Sequence, residues 1–143
     1  MTHRINKTLT TFLLLATMAF FAGCGTVAES EDVAEQRSNL RALAAAYGSY
    51  VKNNRGRVPK NEKSFRKWIE KQGSVEDFGA QSLDEMFISS RDDEPYVVVY
   101  GKPKKVVAYE AVGIDGSRYI ADDLGIVQEV DEATFRDMVP DAK

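Results

Sequence analysis

The chain has 143 residues, with 19 lysines and arginines against 22 acids, one histidine and one cysteine. Its length suits a single domain, and its acidic balance argues against nucleic acid, whose binders carry basic patches and usually a basic domain. With a single cysteine an intrachain disulfide is impossible, so stability has to come from an apolar core.

Residues 1–23 have the pattern of a secretory signal peptide. Arg4 and Lys7 form the positive end, and Leu9 to Phe21 form an apolar run broken by Thr10, Thr11 and Thr17. The small residues Ala22 and Gly23 follow. The run falls short of the about 20 apolar residues that a bilayer-spanning helix needs, although a plain transmembrane anchor is the competing reading. Phe21-Ala22-Gly23-Cys24 resembles the lipobox of bacterial lipoproteins, with Phe21 where that family prefers leucine. The resemblance implies cleavage before Cys24 and covalent diacylglycerol and acyl lipid on Cys24. It also implies residence on the extracytoplasmic side of the inner or outer membrane. Residues 24–29 then serve as a tether and residues 30–143 as one α+β domain. A competing cut after Thr26-Val27-Ala28 would release a soluble protein.

Cleavage before Cys24 has chemical consequences. His3, Arg4 and Lys7 leave with residues 1–23, so 17 basic side chains face 22 acidic ones, a net charge of −5. With no histidine and an acylated cysteine, Ser-His-Asp and Cys-His nucleophile systems are excluded. A Cys/His zinc site is excluded as well. Remaining chemistry would run on carboxylates, lysines, hydroxyls or an oxygen-bound metal.

Ser30 is a candidate N-cap, with Glu31 and Asp32 favourably placed in the first turn. Val33, Leu40, Leu43, Ala44, Tyr47 and Val51 then form a helical stripe. Asn53, Asn54 and Gly56 suit the end of that long helix, and Pro59 blocks its resumption. Asn61 caps a second, shorter helix with Phe65, Trp68 and Ile69 on one face and Lys63, Arg66, Lys67 and Lys71 elsewhere. Such a basic helix could rest on anionic headgroups; a solvated surface helix with its aromatics inside is the commoner arrangement. Residues 73–81 read as a loop. Ser82 and Glu85 have capping-box spacing, and Met86, Phe87 and Ile88 are candidates to plug the core.

From Tyr96 the pattern turns to strands. Tyr96 to Tyr100 is β-branched and aromatic on both faces, which predicts a central strand. Lys102-Pro103-Lys104-Lys105 forms a turn, Val106 to Val112 a second strand, and Asp115-Gly116 a hairpin signal. Arg118 to Ala121 and Ile126 to Val130 are the third and fourth strands. Asp131 caps a short final helix carrying Phe135 and Met138, which Pro140 ends. Short turns force antiparallel neighbours. The expected fold is therefore α+β: a long N-terminal helix and a short second helix packed on a four-stranded antiparallel meander, then a short C-terminal helix.

Candidate sites are sparse. Arg91-Asp92-Asp93-Glu94-Pro95 could offer oxygens to calcium, but adjacent acids rarely converge, and a solvated loop offset by Arg91 explains them. Asp122-Asp123 lacks the spacing of an EF-hand and fits ordinary turn chemistry, as does Asp115. The basic tip Lys102 to Lys105 could touch an anionic envelope polymer or simply be solvated. Glu110 is the acid of most interest, because it falls inside an inner strand where it could face solvent or pair with Arg118. A hydrolase using paired carboxylates would need a defined separation across a cleft.

Two stretches resemble the heads of pilin-like and type II secretion pseudopilin-like proteins. One runs from Asn39-Leu40-Arg41-Ala42-Leu43 through Tyr47 and Tyr50 to Asn54-Arg55-Gly56-Arg57-Val58-Pro59. The other runs from Phe87 to Gly101, with the later Asp115-Gly116 turn and the segment Asp122 to Val130. The resemblance implies a pilin-like head, and it makes Asp122 and Asp123 calcium candidates, because major pseudopilins bind calcium in a C-terminal loop. Pilins keep their apolar N-terminal helix; here a lipobox follows the apolar run. The functional expectation is a lipid-anchored, non-enzymatic envelope protein that binds or positions another envelope component. The membrane is its partner through the lipid, no nucleic acid is bound, and no cofactor is needed. The alternatives are a small carboxylate-dependent glycan hydrolase of the envelope and a filament component of a secretion or pilus system.

Overall fold

A computed structural model describes residues 37–142 of the protein. The signal segment, the lipobox with Cys24, the tether and the Ser30 cap lie outside the described residues. Within them the fold is α+β, with three helices and a four-stranded antiparallel sheet.

Helix α1 spans Ser38–Asn53. Its alanines and leucines favour the helix, and Leu40, Leu43, Ala44 and Tyr47 are buried as the stripe requires. Asn54 ends it, with both its amide and its side-chain Nδ2 donating to the Tyr50 carbonyl at 2.9 and 2.8 Å. Helix α2 spans Glu62–Gln72, and its Asn61 cap accepts from the Ser64 amide at 2.9 Å. Phe65 fastens α2 to α1 and to the loops below. Its ring lies 5.7 Å from Tyr47, 5.8 Å from Tyr50 and 6.1 Å from Phe87. Residues 73–81 are not wholly irregular, because Val75–Phe78 forms one 3₁₀ turn. A second 3₁₀ turn, Glu85–Phe87, begins where the Ser82 hydroxyl accepts from the Glu85 amide at 3.2 Å, and it buries Met86 and Phe87.

The strands are β1 (Val97–Val98), β2 (Val106–Tyr109), β3 (Ser117–Asp122) and β4 (Val127–Asp131), in the sheet order β1-β2-β3-β4. Residues 96–100 therefore form an edge, not the central strand that their two-sided apolarity predicts. The physical reason is that apolarity on two faces reflects packing above and below the sheet, not pairing at the strand's sides. Val98 packs into the main core beneath α1, and Val99 packs into a second apolar cluster on the opposite face. Asp115 and Gly116 form the β2–β3 turn with φ of 51° and 79°, the paired positive values of a type I′ hairpin. Helix α3, Glu132–Met138, starts at Asp131, whose carboxylate accepts from the Thr134 amide at 2.7 Å.

The sheet thus separates two cores. On the α1 side lie Val107, Ala108, Tyr119 and Ala121 with Leu40, Leu43 and Tyr47. On the α3 side lie Val106, Tyr109, Ile120 and Phe135. A register irregularity between Val106 and Ala108 lets β2 feed residues three apart, Val106 and Tyr109, to the same face.

Candidate functional site

Two features stand out, one on each face of the sheet. The first is a buried polar cluster around Glu110, whose side chain is fully buried. The Tyr119 amide donates to Oε2 at 2.8 Å, the Ser89 hydroxyl donates to Oε1 at 3.2 Å, and Arg91 Nη1 lies 3.5 Å from Oε2. Arg91 is itself nearly buried and spans the cluster. It reaches the Glu129 carboxylate at 3.1 Å and the Ile114 carbonyl at 3.0 Å, and it stacks over the Tyr119 ring at 4.8 Å. Ser117 completes the link by donating to Glu129 at 2.5 Å. Burial pushes the Glu110 carboxyl above the usual glutamate range, and the Tyr119 amide, Arg91 and Ser89 offset that only in part.

Glu110 is thus neither solvated nor paired with the Arg118 side chain. Arg118 instead donates to the Glu110 and Ala111 carbonyls at 3.3 and 2.6 Å and pairs with Glu132 at 2.8 Å. Arg91 does not offset its acidic neighbours Asp92, Asp93 and Glu94; it turns inward to Glu110 and Glu129. Sequence spacing gives no signal for this pairing, because Ser89 and Arg91 come from a loop about 20 residues before Glu110.

The calcium candidates are placed separately. Asp122 Oδ1 accepts from the Leu124 and Ile126 amides, both at 2.9 Å, so this oxygen closes its own turn. The Asp123 carbonyl packs against Gly48 of α1. Among the described residues no three Asp, Glu, His or Cys side chains converge on a point that could hold a metal.

The second feature is a groove of about 360 Å³ on the α3 face, in the range of small-ligand sites. Helix α3 sits over β3 and β4, with Phe135 against Tyr109 at 5.1 Å, and leaves the β1–β2 strip uncovered. Val97, Val99, Val106 and Tyr109 line the strip, and Met138, Val139 and Pro140 form a wall. Lys102, Lys104 and Lys105 line it from the β1–β2 turn. Lys104 pairs with Asp141 at 3.0 Å, tying that turn to the C-terminal wall. The sequence showed the lysine tip but not the groove, since a central strand would have had a neighbour beyond β1.

On helix α2, Arg66 is held by Glu62 at 2.6 Å and Asp84 at 2.9 Å and lies over the Phe87 ring at 3.9 Å. Lys63, Lys67 and Lys71 are exposed. This is the arrangement of a solvated helix with an aromatic inner face.

No protein-family model, no curated protein and no solved structure matches the chain.

Proposed function

We propose that the protein is a lipid-anchored, non-enzymatic component of the bacterial cell envelope whose pilin-like head binds or positions another envelope component. The observation that carries this reading is the sequence Phe21-Ala22-Gly23-Cys24, which ends an apolar run and contains the only cysteine of the chain. The lipid attaches to Cys24 and holds the head on the extracytoplasmic side. Acyl chains contribute roughly 0.8 kcal/mol per buried CH₂, so two or more hold a protein stably. The head is a helix on an antiparallel meander with a ligand-sized groove, a form suited to binding.

The non-enzymatic part of the reading rests on what the chain offers for chemistry. Glu110, whose carboxyl is pushed up by burial, is fully buried and held by Arg91, Ser89 and the Tyr119 amide. It belongs to the core on the α1 side, away from the groove. A glycan hydrolase would need two carboxyls facing a shared cleft. A filament subunit would need residues 1–23 retained. Calcium at Asp122 and Asp123 would compete with the Leu124 and Ile126 amides for Asp122 Oδ1.

The test is metabolic labelling of cells with an alkyne-bearing palmitate. Wild-type protein is expected to take up label and Cys24→Ala to lose it. Equal labelling of both, or none of either, would contradict the anchor.

A further inference from the structure

We infer that the β1–β2 groove is a binding site for a single acyl chain carrying an anionic head, a carboxylate or a phosphate. Its polarity runs in one direction. Lys102, Lys104 and Lys105 occupy the β1–β2 turn at one end. Val99 and Val106 adjoin that turn, and the paired residues Val97 and Tyr109 lie further along the strands. The floor is apolar, so an occupant with polar groups along its length would lose hydrogen bonds to water without replacing them. The lysines lie within four residues of a chain whose overall charge is −3. Asp141 engages Lys104, and Lys102 and Lys105 flank that pair as exposed cations. An anion at this end and an alkyl chain along the floor complement both halves of the groove. Val97 is 36% exposed, an apolar surface that an acyl chain would cover.

This inference names the ligand class for the binding function proposed above, but it does not require acylation of Cys24. A failure here leaves the Cys24 labelling result untouched, and the two can be told apart.

The experiment uses the full chain in phosphatidylcholine nanodiscs and two photoreactive probes, a diazirine palmitate and a neutral diazirine alkyl maltoside. Cross-linked residues are mapped by peptide mass spectrometry. The palmitate probe is expected to mark residues 97–99, 106–109 or 138–141. The double variant Lys102→Glu/Lys105→Glu is expected to reduce that labelling about tenfold. Both lysines are exposed, so the variant keeps the wild-type thermal midpoint, which is checked in parallel. Equal labelling by the neutral probe, adducts scattered over the head, or labelling unchanged by charge reversal would overturn the inference. So would chain-to-chain adducts through the groove in place of probe adducts, which would assign it to a second copy.

Discussion

At the scale of single residues, Glu110 holds the clearest physical tension in the molecule. Burial pushes its carboxyl above the usual glutamate range, so the native state binds a proton more readily than the unfolded chain does. A raised pKa contributes stability that is fully present below the unfolded value and lost as pH rises through the native one. Glu110→Gln removes that titration. Its urea-unfolding free energy is therefore expected to fall less than that of the wild type as pH rises above the usual glutamate range. A wild-type and a variant profile of the same slope would contradict the assignment. Glu110→Ala leaves Arg91 without its buried partner and is expected to cost about 3 kcal/mol. Asp131 and Glu132 act in the opposite sense. The Thr134 amide and Arg118, respectively, hold their carboxyls below the usual range, so their contribution is present above the unfolded value and lost on acidification. Asp122 gives a separate check. Because its Oδ1 is taken by two amides, millimolar calcium is expected to leave the thermal midpoint unchanged. A clear rise would restore the Asp122-Asp123 site. Glu110 was visible from sequence as an acid inside a strand. Its partners were not, because a buried ion pair between loop and strand leaves no periodic trace.

At the scale of elements, the tightest fit is between α1 and the β3–β4 turn. Gly48 lies in mid-helix, where alanine would normally gain about 1 kcal/mol. A Cβ there would overlap the Asp123 carbonyl oxygen, which is backbone and cannot swing aside. The overlap outweighs the propensity, so Gly48→Ala is expected to destabilise by about 1–3 kcal/mol in urea unfolding. A stabilised variant would show that the turn can yield. Helices α2 and α3 were legible because their stripes and caps are local: Asn61 and Asp131 cap as their spacing demands. The Asp-Gly hairpin was legible for the same reason. The edge position of β1 was not. Two apolar faces describe how a strand is covered above and below, and say nothing about what pairs with its sides.

At the scale of the whole molecule, the proposed anchor and the proposed groove ligand are independent claims that would reinforce each other. In this reading the lipid on Cys24 confines the head to a membrane surface, and the groove meets ligands there. A confined head samples a high local concentration of acyl chains, so even modest affinity would keep the groove occupied. The described residues hold no helix long and apolar enough to cross a membrane. The proposed anchor and signal rest on sequence motifs alone, in residues that lie outside the described ones. The measurement that decides the matter is the intact mass of the membrane-extracted protein, wild type beside Cys24→Ala. The account predicts a chain beginning at Cys24 with added acyl mass that the variant lacks. An unacylated chain beginning near Glu29, or one that retains residues 1–23, would contradict it.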